Sequence, residues 1–406
     1  MSRLVRALAL CLLVGGGLST GCLLVPPEKT PDANMTVLAR VEVMNRKPDL
    51  MLMVDTSGSM TFPINPSLPA CRLDNGEVCG VTTPCDTSRC PTRWYAVQAA
   101  MNTFLSQNAT RARLGLVTYP SAVTDSCGPS TSLRVGLPTT EDDATLVAKA
   151  SEVNAAIQSI PNNGHNMPQG GTPTGPGLRF LSSIPGLQTA ERDDFVLLLT
   201  DGLPNCNPDN PNAYPSTRCY CTLDNPEFCK YAPYDTLGCL DDATSVSAVQ
   251  ALRSQGIRTI VVGFGAEAAA FQAQVVFNNI ASAGGFERQC QQDSDCGVGD
   301  TCDVASHLCR RRFYAANSGA ELTSALQLIG GKLAKDSCLV QLEDSGGSPP
   351  RESLQVSVDG TVMEPGPETW SLTSEGVRFT GMACQRLNAA TSTAPVIVEV
   401  RAPLQP

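Results

Sequence analysis

Five oxygen-bearing side chains on three separated stretches carry the chemistry of this sequence. Asp55, Ser57 and Ser59 lie in Asp55-Thr56-Ser57-Gly58-Ser59, directly after the apolar run Leu50-Met51-Leu52-Met53-Val54. Thr172 lies in Gly170-Gly171-Thr172-Pro173-Thr174-Gly175. Asp201 follows Phe195-Val196-Leu197-Leu198-Leu199-Thr200. Two carboxylates and three hydroxyls, brought together, make an oxygen-only donor set for a hard divalent cation. Magnesium suits it, because it takes octahedral oxygen at ~2.0–2.1 Å and keeps waters that a partner can displace. Calcium and manganese accept the same donors.

Both carboxylates stand at the end of a continuous apolar run. Residues 50–54 and 195–199 therefore predict fully buried strands of a parallel sheet covered on both faces. In such sheets ligands bind beyond the carboxyl ends of the strands, where Asp55 and Asp201 sit. Further strands are expected at 114–119, 133–137, 259–264 and 312–316. A helix is expected after Pro91, with Trp94, Val97, Met101 and Phe104/Leu105 at helical spacing. Others are expected at 144–160 (core side Leu146, Val147, Val153 and Ile157), 176–184, 243–255, 268–283 and 320–333. Strands alternating with helices predict an α/β fold: a doubly wound, mostly parallel sheet with helices on both faces. From 336 to 406 the pattern becomes short strands at 354–358, 377–380 and 396–400, with Asp359-Gly360 as a hairpin signal. This predicts a small β-rich C-terminal domain.

The three stretches, in this order, resemble the metal-ion-dependent adhesion site (MIDAS) of von Willebrand factor A domains, including integrin inserted domains. The resemblance implies that Ser57, Ser59 and Thr172 are ligands. Asp55 and Asp201 would bind directly or through water. All five positions are intact. The A domain is placed at 37–335, and its metal would accept an acidic side chain or another oxygen from a partner.

The first residues read as an export signal. Arg3 and Arg6 precede a short apolar stretch at 7–18, and Ser19-Thr20-Gly21-Cys22 ends it. A cysteine directly after glycine here resembles a bacterial lipoprotein processing site, with cleavage after residue 21 and lipidation of Cys22. Residues 22–36, with Pro26, Pro27 and Pro31, read as anchor and stiff tether. The chain carries a net charge of −10, and losing Arg3 and Arg6 leaves 27 basic against 39 acidic residues, −12. That argues against nucleic acid and against attraction to anionic lipid.

Of 18 cysteines, 16 remain after Cys11 and Cys22, an even number for an oxidising compartment. They cluster in insertions. Residues 61–90 hold Cys71, Cys79, Cys85 and Cys90, and 203–240 hold Cys206, Cys219, Cys221, Cys229 and Cys239. Both follow strands and should rim the metal face. Five cysteines after Asp201 leave one over. Cys127 is a plausible mate, and Cys90 or a neighbour is an alternative. Residues 286–311 hold Cys290, Cys296, Cys302 and Cys309, which can pair among themselves at the opposite pole. No paired CxxC supports zinc there, and Asp293, Asp295, Asp300 and Asp303 read as turn formers. Cys338 and Cys384 would close the C-terminal segment.

Little in the chain suggests catalysis. His165 and His307 are its two histidines, and no GxSxG, HExxH or GxxxxGK[ST] occurs. The expectation is a binding protein, not an enzyme. Exported lipoprotein, adhesion-type metal site and cysteine-rich insertions together resemble the integrin-like adhesin lipoproteins of contact-dependent adventurous gliding in myxobacteria. That resemblance implies an outer-membrane, surface-exposed adhesin. It would bind a surface glycan or protein ligand and couple to an outer-membrane β-barrel platform. The alternative is a periplasmic scaffold whose metal face assembles a protein complex.

Overall fold

The computed structural model describes residues 35–403 apart from 44–45, 81, 122–126, 165, 189–191, 224, 266–269, 298, 334–336, 343–353, 374–375 and 392–393. The export signal, Cys22, the tether up to residue 34 and His165 lie outside the described residues. Among the described residues no helix is long and apolar enough to cross a membrane.

The chain divides into two compact units, residues 47–334 and residues 1–46 with 335–406. In chain order the elements are β1 (Met35–Val43), β2 (Asp49–Asp55), α1 (Arg93–Asn108), β3 (Arg113–Tyr119), α2 (Asp143–Gln158), α3 (Thr174–Leu181), β4 (Asp194–Thr200), α4 (Tyr234–Leu237), α5 (Asp242–Ser254), β5 (Ile257–Phe264), α6 (Phe271–Gly284), β6 (Cys302–Asp303), β7 (Leu308–Cys309), β8 (Tyr314–Ala316), α7 (Gly319–Leu333), β9 (Leu339–Val340), β10 (Gln355–Val358), β11 (Thr361–Met363), β12 (Trp370–Thr373), β13 (Gly376–Phe379), α8 (Gly381–Asn388) and β14 (Val396–Pro403).

In the first unit β3-β2-β4-β5-β8 form a five-stranded sheet, and every pairing is parallel. Side chains alternate across a strand, so β2 feeds two cores. Leu50, Leu52 and Val54 join a cluster with α1, α2 and α7 residues such as Trp94, Val153 and Leu326. Met51 and Met53 join another with Leu178, Val249 and Ile280 of α3, α5 and α6. Helices thus cover both faces, which is why the strands are apolar throughout rather than alternating. Val54 lies opposite Leu199 in the β2–β4 register, so Asp55 and Thr200-Asp201 leave the sheet side by side at its carboxyl end.

Two local expectations differ. Residues 133–137 form no strand: Val135 makes one antiparallel bridge to Leu116 of β3. Pro138 follows directly and has no N–H with which to extend a ladder. Val147 is 46 % exposed. Leu146, Ala150, Val153 and Ile157 already form the buried stripe of α2, and position 147 falls beside it.

In the second unit β1-β14-β10-β11 form one sheet and β12-β13-β9 another. Val356, Trp370, Val377, Val398 and Val400 are fully buried at their common core. The Asp359-Gly360 turn joins β10 to β11, with φ of 48° and 81°. Positive φ at both central residues is what a type I′ hairpin requires. Strand β1 pairs with β14 along its length. The expected domain start at 37 therefore shifts to residue 47, because the hydrogen bonds of β1 are satisfied by the C-terminal sheet.

Candidate metal centre

The loop after β2 folds back through an Asx turn: Asp55 Oδ1 accepts the Ser57 N–H at 2.8 Å. Ser57 and Ser59 then project from a short turn. Backbone bonds tie this loop to the second one. Gly58 N–H donates to Gly170 O at 2.9 Å and Gln169 N–H to Thr56 O at 2.9 Å. The third loop holds the second in turn. Asn205 Oδ1 accepts the Thr172 N–H at 2.6 Å, and Asn205 N–H donates to Thr172 O at 2.9 Å. Ligand candidates far apart in sequence are thus fixed by ordinary peptide hydrogen bonds.

Their oxygens converge. Ser57 Oγ and Ser59 Oγ are 3.1 Å apart, and Ser59 Oγ donates to Asp201 Oδ1 at 2.8 Å. Thr200 Oγ1 donates to Asp55 Oδ2 at 2.7 Å. A Cβ on Gly202 would stand 3.7 Å from Thr172 Oγ1 and 3.8 Å from Ser59 Oγ, so both hydroxyls border Gly202. Asp55, Ser57, Thr172 and Asp201 are buried and Ser59 is half-buried. Burial first, and then the charge of Asp201, push the Asp55 carboxyl up to about 7, against hydrogen bonds from Thr200 and Ser57. Two buried carboxylates that repel each other, with hydroxyls and no nitrogen or sulfur donor among the candidates, fit a hard divalent cation.

The sequence reading missed three residues here. Thr200 and Asn205 orient Asp55 and Thr172, as described. Arg93, the first residue of α1, donates from Nη1 to Asp201 Oδ2 at 2.7 Å, with side chains 5 % and 0 % exposed. One signal for it existed. A cation in the first turn of a helix opposes the helix dipole, so such a residue needs an anionic partner.

Cysteines of all three insertions are bridged: Cys71–Cys90, Cys79–Cys85, Cys127–Cys206, Cys219–Cys239, Cys221–Cys229, Cys290–Cys302 and Cys296–Cys309. Cys338–Cys384 closes the C-terminal unit. The sulfur clusters Cys79-Cys85-Cys90 and Cys290-Cys296-Cys309 thus consist of disulfide sulfurs, which offer no thiolate to a metal. The aspartates of the third insertion cap its turns: Asp293 accepts Cys302 N–H at 2.8 Å, Asp295 accepts Gln291 N–H at 2.8 Å, and Asp303 accepts the Ser306 hydroxyl at 2.7 Å. Asp300 pairs with Arg288 at 2.9 Å.

Neither a protein-family model nor a curated protein matches the chain. Solved structures do. The PilB minor pilin from Streptococcus sanguinis is 17 % identical over 71 % of this chain and 61 % of its own, with a TM-score of 0.42. The pilus adhesin SpaC from Lactobacillus rhamnosus GG, in its open conformation, is 16 % identical over 92 % and 42 %, at 0.41. Manganese-loaded TRAP from Plasmodium vivax is 16 % identical over 59 % and 65 %, at 0.30. The chain spans about three fifths of the PilB chain and about two fifths of SpaC. The described fold itself is a five-stranded parallel sheet between two helical layers, with the candidate loops at its carboxyl end.

Proposed function

We propose that the chain is a cell-envelope adhesin that binds an oxygen-bearing ligand through a divalent cation held by Asp55, Ser57, Ser59, Thr172 and Asp201. What supports the reading is the meeting of donors from three loops, down to the 2.8 Å bond between Ser59 Oγ and Asp201 Oδ1. Magnesium is the favoured ion, and calcium and manganese are alternatives. The ligand is a surface glycan or an acidic protein group. Cys22 carries the lipid anchor, and the chain stands on the outer membrane, coupled to a β-barrel platform in gliding. It performs no catalysis.

Isothermal titration of the exported protein with magnesium and manganese tests the site. The wild type is expected to bind one cation and Asp55→Ala none, with both folded by circular dichroism. An Asp55→Ala protein that binds like the wild type would sink the assignment. Protease treatment of intact cells tests the placement. Cleavage supports a surface adhesin, and complete protection overturns it in favour of a periplasmic scaffold.

A further inference from the structure

We propose that Arg93 is a built-in counter-ion of the cation site: it neutralises Asp201 and so sets how tightly a divalent cation is held. The inference rests on the cation reading above and concerns a residue outside the five-residue motif.

Arg93 Nη1 lies 2.7 Å from Asp201 Oδ2, and both side chains are withdrawn from water. The arrangement is shaped around the guanidinium. Its Cζ sits 5.7 Å from the centre of the Phe62 ring. Arg93 N–H donates to Phe62 O at 2.9 Å. A Cβ at Gly265, whose φ is +95°, would stand 3.0 Å from Arg93 Nε. A glycine there leaves the guanidinium its room. The two oxygens of Asp201 therefore have different duties: Oδ2 takes Arg93, and Oδ1 faces Ser59 at 2.8 Å.

The consequence is electrostatic. Asp55, Asp201 and Arg93 together carry one net negative charge when both carboxylates are ionised. An incoming cation meets that single charge instead of two. Breaking a buried ion pair by removing one partner leaves the other uncompensated and is strongly destabilising. Arg93 thus trades cation affinity for a site that keeps its shape when the cation leaves. Without Arg93, Asp201 keeps its bond from Ser59 to Oδ1 but loses its charge partner. Loss of the charge, rather than loss of geometry, governs the expected effect on binding.

The test compares Mn2+ binding, by titration calorimetry and by electron paramagnetic resonance, in the full exported chain and two variants. Arg93→Gln removes the charge, and Arg93→Lys keeps it. The Gln variant is expected to bind Mn2+ at least about tenfold more tightly, because a nearby unit charge is worth that much at effective protein dielectric. In chelator its thermal midpoint is expected below that of the wild type, and Mn2+ should recover it. The Lys variant is expected to bind within about threefold of the wild type, since one positive charge is retained. If the wild type binds Mn2+ and the Gln variant binds equally or more weakly, Arg93 merely packs and the proposal is overturned, while the cation site stands. If the wild type binds no Mn2+, the cation reading itself fails and this one with it. Arg93→Met, which keeps the apolar stem, replaces Gln in the same comparison if the Gln variant does not fold.

Discussion

Replacing Asp55 by Asn is expected to stabilise the chelator-treated protein at neutral to alkaline pH while abolishing its response to cations. Asp55 is fully buried, and burial with the charge of Asp201 raises its carboxyl from 3.8 to about 7. A group whose folded pKa exceeds its unfolded value holds its proton more tightly when folded. Stability from this group is therefore complete below the unfolded value and is lost as pH rises from about 4 through about 7. Over that span the loss has an upper bound of about 4 kcal/mol, at about 1.4 kcal/mol per unit.

Asparagine is isosteric and uncharged. Its Oδ1 can still accept the Ser57 N–H. Thr200, which donates to Asp55 Oδ2 at 2.7 Å, also has Gly202 O within 3.2 Å as an acceptor. Its hydroxyl can turn there and accept from the new amide. Asp49, at the other end of β2, is also raised, to about 6, with burial as the leading cause. Its titration has the same sign, so the diagnostic quantity is the difference between wild type and Asp55→Asn. Urea midpoints in chelator at about pH 5 and about pH 8 measure it. The variant's lead over the wild type should widen from the lower pH to the higher one, because most of the loss accrues between them. Excess magnesium should lift the wild type at the higher pH and leave the variant unmoved. If Asp55→Asn is as sensitive to pH as the wild type, or still gains from magnesium, the reasoning about a charge-stressed cation site is wrong.

Two further outcomes follow from the loops. Gly171→Ala should lower the thermal midpoint and weaken Mn2+ binding, because its Cβ would strike Cys206 Sγ and stand 2.7 Å from Asn205 Oδ1; overpacking of this kind costs about 1–3 kcal/mol. Gly136→Ala, with nothing within 4 Å of its Cβ, is the control and should be near neutral by both measurements. Alkylation of unreduced, exported protein followed by intact mass should label none of the sixteen cysteines in the eight bridges. Two or more labelled thiols would contradict those pairings.

The parts of the fold that were legible in the sequence share one property: their burial pattern is local. Residues 50–54 and 195–199 are unbroken apolar runs because both faces of the sheet are covered, and they emerged as β2 and β4. The Asp359-Gly360 hairpin was legible because positive φ at both positions restricts residue choice. What escaped depends on distant partners. Strand β1 shows no clean alternation, with several exposed positions, since it is an edge strand defined by its pairing with β14. Helix α8 is only eight residues long and buries only Ala383 and Leu387, too little for a periodic signal. At the candidate site, the five motif residues could be named from the sequence, and the residues that hold them in place could not. Arg93, Thr200 and Asn205 each act on a partner that is 108, 145 or 33 positions away.

Asn205 shows why the cysteine-rich insertion belongs to the site. While its Oδ1 holds the Thr172 N–H, its Nδ2 donates to Thr222 Oγ1 at 2.8 Å, and that hydroxyl donates to Gly238 O at 2.9 Å. Thr222 follows Cys221, bridged to Cys229, and Gly238 precedes Cys239, bridged to Cys219. Cys206, next to Asn205, is bridged to Cys127 across 79 positions. The segment 207–238 is rich in Pro, Asn and Asp and leaves Tyr214, Tyr220, Phe228, Tyr231 and Tyr234 exposed. Such a segment buries too little apolar surface to hold one conformation by itself. Cross-links restrict its unfolded ensemble instead, and do so more for long closed loops than for short ones. The position of Thr172 thus depends on covalent bridges through Asn205 and Thr222. Closure of these bridges is therefore a condition for positioning Thr172, as well as for the stability of the loops around it.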